Sequence, residues 1–146
     1  IDDIKLISSV CKWFGIWVHV DSAHLGIWSS LPELSHLFEG FKFGDSLNIN
    51  GSKVLGVGNG MGFLWFKNHE MLDLIGPTME LRSMRAYMSL DTMGFEILWD
   101  YLWEIIWLSN YFKRKLEEHL DKFEVLETWN TICLVIFRLR DKPNDV

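Results

Sequence analysis

Two short apolar runs constrain this chain more than any other feature, because each closes on a charged side chain. Ile16-Trp17-Val18-His19-Val20 leads into Asp21-Ser22-Ala23, and the run from Phe43 to Asn50 leads into Gly51-Ser52-Lys53. Both read as buried strands, and the near-continuous apolar character of the first suits a strand covered on both faces. The residues between Asp21 and Lys53 suffice for one helix and its two connections. Parallel strands joined by such a crossover end on the same edge of a sheet. Asp21 and Lys53 are therefore expected to face one crevice at the carboxyl ends of the strands, where open α/β sheets bind ligands. Alternation along the first strand sets His19 opposite Val18 and Val20 and on the face of Asp21. His19 then either hydrogen-bonds Asp21 or is a satisfied core histidine.

The flanking segments supply the rest of an α/β arrangement. Asp2 or Asp3 can cap a first helix whose apolar positions Ile4, Ile7, Val10, Cys11 and Phe14 recur at helical spacing, with Gly15 as its stop. Ser30-Leu31-Pro32-Glu33 reads as a capping box opening a short helix that ends by Gly40. Gly56, Gly58, Gly60 and Gly62 alternate, which invites a phosphate-cradling reading, but no helix opens directly after them, so the dinucleotide pattern fails. A turn into an antiparallel strand, Gly62 to Phe66, fits better. A helix from Leu81 to Leu90 is broken by Gly94, and a longer one runs on to about Leu120. Trp99, Trp103 and Trp107 form a stripe on it that reads as core or subunit contact, while Asp100 and Glu104 argue against a membrane span. Lys113-Arg114-Lys115 and Glu117-Glu118 make a solvated face. Phe123 to Leu126 and Ile132 to Leu139 read as two strands.

Composition excludes several classes. A hydrophobic content of 49% is too high for disorder, and a net charge of −6 without a basic stripe argues against a nucleic-acid partner. Cys11 and Cys133 sit in apolar patterns and are expected as buried thiols in a reducing cytosol. The histidines His19, His24, His36, His69 and His119 show no metal-ligand spacing. The opening Ile1-Asp2-Asp3 is expected of a fragment or processed chain without a secretory signal.

The segments WVHVDSAHLG, PELSHLFEGFKFGDSLNINGSKV and GFLWFKN stand in that order. They resemble the core of the pyridoxal-phosphate-dependent group II amino-acid decarboxylases, which include the aromatic-L-amino-acid, tyrosine, histidine, glutamate and cysteine-sulfinate enzymes. The usual pattern there is His-Val-Asp-Ala-Ala, then Asp-Ser, then Asn-x-His-Lys-Trp. The resemblance extends from Asp3 to about Arg140. It implies a fold-type-I large domain, with residues 1–80 as the C-terminal part of its cofactor-binding region. Residues 81–146 would hold connecting helices and the beginning of a small α+β C-terminal domain. It also implies pyridoxal 5'-phosphate as cofactor, an amino acid as substrate, a cytoplasmic homodimer, and neither nucleic acid nor membrane as partner.

By the same resemblance Lys53 is the Schiff-base lysine, and Asp21 pairs with the pyridine nitrogen so that the ring can serve as an electron sink. Ala23 packs on the ring, Ser52 offers a hydroxyl to the cofactor phosphate, and His19 joins the cofactor-binding set. Ser52 stands where the family has histidine, Val54 where it has tryptophan, and His24 where it has tyrosine, tryptophan or histidine. Between Phe66 and Arg82 the family carries a longer insertion with a catalytic tyrosine; here Lys67 to Leu81 contain none. Arg82-Ser83-Met84-Arg85 matches the helix start that follows that insertion. Two readings follow: a carboxy-lyase in which Lys53 and Asp21 serve the cofactor, or an inactive truncated paralogue kept as a structural or interaction module. A third is an unrelated small α/β binding domain. These 146 residues alone are expected to be inactive, for want of a proton donor and most of a phosphate anchor.

Overall fold

In a computed structural model, residues 2–57, 60–75, 81–126 and 132–140 are described. Gly58 of the glycine alternation and residues 76–80 of the short Lys67 to Leu81 segment lie outside them. The chain divides into two compact units, Asp2–Glu96 and Ile97–Val146.

The first unit opens with α1, Ile4–Trp13, capped by Asp3, whose carboxylate accepts the Leu6 amide at 3.0 Å. Gly15 ends the turn at φ +64, a conformation other residues adopt only with strain. The packed side of α1 is narrow. Ser8 is buried and donates to the Phe43 carbonyl at 2.7 Å, and Ile4 lies so close to Gly40 that an added Cβ would stand 3.1 Å from it.

The sheet of this unit is ordered β1 (His19–Asp21), β2 (Ser46–Asn50), β3 (Gly62–Phe66). β1 and β2 are parallel, with His19 opposite Ser46 and Asp21 opposite Asn48; β3 returns antiparallel to β2. The expected return strand from Gly62 to Phe66 is therefore present. The first strand is shorter than expected. Ile16 and Trp17 are exposed and precede the ladder. Val18 instead meets Asp45 just ahead of β2: its amide donates to the Asp45 carboxylate at 2.9 Å and its carbonyl accepts the Asp45 amide at 2.8 Å. Nor is β1 covered on both faces, since Val20 is buried while His19 and Asp21 are exposed.

The crossover between β1 and β2 corrects a second expectation. It holds two 3₁₀ segments, Gly26–Ser30 and Ser35–Phe43, rather than one α-helix opened by a capping box. The Ser30 hydroxyl turns back to donate to the Ile27 carbonyl at 2.8 Å, so it caps nothing downstream. The crossover is secured instead by burial: Trp28 and Leu31 are fully enclosed and Phe38 nearly so.

After α2, Glu70–Ile75, a long α3 runs Leu81–Glu117 and is interrupted where expected, at Gly94 (φ 69, ψ 170). In the second unit Leu98, Leu102 and Leu116 are buried, while Trp103 and Trp107 are exposed. The tryptophan stripe is thus not core at those two positions: a helix apolar on several sides buries the leucines, and Trp107 stacks on Tyr111 at 5.6 Å. The solvated face is as expected, with Lys115 2.7 Å from Glu118 and Lys113 3.8 Å from Glu117. β4 (Phe123–Leu126) and β5 (Ile136–Leu139) form an antiparallel pair, and Phe137 sets its ring edge-on to both Phe112 and Phe123. Neither Cys11 nor Cys133 is in a disulfide, and both are half-buried rather than buried. No described helix is long and apolar enough to cross a membrane.

Candidate cofactor site at the ends of two parallel strands

The parallel register gives the β1–β2 pair one polar face. His19 and Asp21 of β1 lie beside Ser46 and Asn48 of β2, with Asn50 next along the same row. The opposite face carries Val20 and Ile49, both buried. The period-two pattern Ser-Leu-Asn-Ile-Asn of β2 is the signal for this polar row. Reading the strand as simply buried missed Ser46, Asn48 and Asn50, which do most of the fixing.

Asp21 ends β1 with its carboxylate held from two sides. Oδ1 accepts the Ala23 amide at 3.1 Å and the Asn48 side-chain amide at 3.4 Å. Ala23 is more than a small residue in this loop, because its carbonyl also accepts the Asn50 amide at 3.1 Å and ties the end of β1 to the end of β2. His19 is exposed and its Nδ1 lies 2.7 Å from Ser46 Oγ, which also accepts the Trp17 indole N–H at 2.9 Å. His19 is therefore not a core histidine, and its Nδ1 serves Ser46 rather than Asp21. An indole nitrogen only donates, so Ser46 Oγ accepts from Trp17 and bonds His19 Nδ1 with its remaining capacity.

β2 runs into a tight turn. Gly51 donates to the Met61 carbonyl at 2.9 Å and Lys53 to the Asn50 carbonyl at 3.3 Å. An added Cβ at Gly51 would lie 2.7 Å from Val57, so this turn is closely packed. Lys53 follows closely on the end of β2 and is exposed. Its charge is felt at His24: partial burial first, and the Lys53 ammonium second, hold that imidazole below its usual range. The structure thus brings Asp21 and Ala23 to the end of one strand and Ser52 and Lys53 to the end of its parallel neighbour, while His19 stands at the start of the first strand on the face of Asp21.

The donor set fits pyridoxal phosphate at one end only. A fixed carboxylate and an exposed amine at adjacent strand ends suit a protonated pyridine nitrogen and an aldehyde. The phosphate end fares worse, because both donors of Ser52 are taken by Asn50 Oδ1, the hydroxyl at 2.6 Å and the amide at 2.8 Å. Among the described residues no cluster of His, Cys, Asp and Glu could hold a metal ion.

A family model, the pyridoxal-dependent decarboxylase conserved domain, matches residues 1–77. The chain belongs to the pyridoxal-dependent decarboxylase family. Pyridoxal phosphate is the cofactor of this decarboxylase family, and fold-type-I α/β is its architecture. Among relatives, a 3,4-dihydroxyphenylacetaldehyde synthase of Aedes aegypti is 28% identical over 95% of this chain and 31% of that protein. Tyrosine decarboxylase 2 of Arabidopsis thaliana is 26% identical over 99% of this chain and 31% of that protein. A crystal structure of Oryza sativa TDC with PLP and tryptamine superposes with a TM-score of 0.84 at 26% identity, covering 96% of this chain and 31% of that one. The chain thus spans about a third of the length of these decarboxylase-family relatives.

Proposed function

We propose that this chain supplies the amine and the nitrogen-facing carboxylate of a pyridoxal-phosphate-dependent L-amino-acid decarboxylase. When bound, the cofactor supplies an aldehyde that an amine can condense with and a ring that withdraws electrons from the bond to the departing carboxylate. Lys53 offers that amine. Asp21 is oriented by Ala23 and Asn48, so that its carboxylate can hold a proton on a facing ring nitrogen. Ala23 leaves room for a flat ring beside Asp21, and His19 lies on the same face. The observation that carries the reading is the parallel pairing of β1 and β2, which sets Asp21 and Lys53 at neighbouring strand ends.

The substrate class most in keeping with the relatives' names is an aromatic amino acid. The same reading takes the enzyme as a cytoplasmic homodimer, with neither nucleic acid nor membrane as partner. The second reading, a non-catalytic module of the family, is favoured by the committed donors of Ser52 and by the absence of tyrosine from Lys67 to Leu81. A missing general acid costs typically ~10²–10⁴-fold in rate. The test is incubation with pyridoxal phosphate, reduction with borohydride and mass mapping, beside carbon dioxide release from aromatic amino acids. Weak but specific labelling of Lys53, lost in Lys53→Ala, with no carbon dioxide release, is the expected outcome. Labelling spread evenly over the lysines would refute the cofactor role and leave the module reading.

A further inference from the structure

The cofactor argument leaves unused one face of the part of α3 that lies in the second unit. At about 3.6 residues per turn, Asp100, Trp103, Glu104, Trp107, Tyr111 and Arg114 fall within an arc of roughly 100°, on the side away from the buried Leu98, Leu102 and Leu116. All six are exposed, and Trp107 is 59% exposed although its ring stacks on Tyr111 at 5.6 Å. A contiguous aromatic row of this kind marks a contact surface, unlike apolar residues scattered singly over a surface. The charges on the face are unevenly engaged. Lys113 and Lys115 have ion-pair partners on their own helix, Glu117 and Glu118. Arg114 lies over the Tyr111 ring at 5.7 Å and, among the described residues, is in no ion pair; nor are Asp100 and Glu104. The spacing of the row is symmetric. Trp103 and Tyr111 stand about one turn before and after Trp107, and Asp100 and Arg114 about two turns. Reversing the helix about Trp107 therefore exchanges acid for base and keeps aromatic opposite aromatic. The face is complementary to its own reverse, which is the pattern of an isologous contact.

We propose that α3 pairs antiparallel with α3 of a second copy of this chain, about a two-fold axis at Trp107. Trp107 meets its own counterpart, Trp103 meets Tyr111, and Asp100 meets Arg114, the last two contacts each occurring twice. Aromatic rings then fill the centre of the contact and the charge pairs close its two ends, where water still reaches them. This deepens the homodimer of the preceding section, on which it rests, by giving that dimer a surface. One helix face per copy is a small interface, so the pairing by itself belongs at micromolar concentrations.

The test is sedimentation velocity of the intact chain over a rising concentration series. A monomer that passes to a dimer at micromolar concentration is expected. Trp107→Ala should raise the dissociation constant tenfold or more. Asp100→Arg and Arg114→Asp should each raise it severalfold, because each sets like charges opposite one another. Combining the two reversals in one chain should bring the constant back toward the parent value, a recovery that a loss of folding cannot imitate. A dimer indifferent to Trp107→Ala and to both single reversals would overturn this pairing and leave the homodimer standing on another surface. A chain that stays monomeric at every concentration would overturn the pairing and the homodimer together.

Discussion

Gly26→Ala should be among the most damaging single-methyl changes in the first unit, and the reason is local crowding rather than backbone strain. An added Cβ at Gly26 would stand 2.4 Å from Ile49 Cγ1, 2.8 Å from Ile49 Cδ1 and 3.2 Å from Ser22 Oγ. Cγ1 is bonded to Cβ, so it can retreat only by rotating χ1, which is stiff in a β-branched residue. Ile49 is buried in β2 and faces Phe63 across the ladder. The other escape is to lift the loop, against the Gly26 amide bonded to the Ser22 carbonyl at 2.8 Å and the Ser22 amide bonded to Asn48 at 3.0 Å. Overpacking of this kind costs about 1–3 kcal/mol. For a cooperative unit of this size that corresponds to a fall in melting midpoint of roughly 5 °C or more. Thermal unfolding followed by tryptophan fluorescence measures it. Gly62→Ala is the control, since its Cβ would meet Asn48 Oδ1 at an ordinary 3.6 Å and should leave the midpoint unchanged or slightly raised. A Gly26→Ala midpoint within about 1 °C of the parent would refute the packing argument.

Ser46→Ala removes the oxygen shared by Trp17 and His19, so denaturant unfolding should show a loss of about 1 kcal/mol, moderated because both ring partners reach solvent. Burial pushes the Cys133 thiol up to about 11. Only about a thousandth of it is thiolate at pH 8, and iodoacetamide should alkylate it far more slowly than a free cysteine does, with the rate still climbing at pH 10.

Much of the site was legible because its logic is topological. A carboxylate at one strand end and a lysine just past the next need only a parallel crossover to meet at one edge, whatever the crossover is made of. The substance of that crossover was less legible. Ser30 and Glu33 satisfy a capping-box pattern, but the Ser30 hydroxyl has a nearer acceptor at Ile27, and the enclosure of Trp28 and Leu31 favours tighter turns. The extent of β1 was misjudged for a related reason. Ile16 and Trp17 are apolar enough for a strand, yet pairing partners begin only at Ser46, and Asp45 takes the bonds before it. The roles of Asn48 and Asn50 depend on which side chains point across the ladder, and only their alternation with Leu47 and Ile49 hinted at it. His24 was visible as a residue but not as the ring packed against Trp28, because that contact depends on the 3₁₀ turn that follows it.

The parallel pairing of β1 with β2 also bears on the order in which the molecule assembles. β2 and β3 are antiparallel and joined by a short connection, Gly51 to Met61, so their ladder can form from nearby segments. β1 reaches β2 only after the whole stretch from Ser22 to Gly44 has closed and buried Trp28, Leu31 and Phe38. Pairings that span longer loops carry the larger closure entropy and form more slowly. Asn48, Asn50 and Lys53 thus belong to the early, local part of the sheet, and His19, Asp21 and His24 to the late, distant part. A partly folded chain can display the lysine without its carboxylate, and the two halves of the site become one only when the crossover closes.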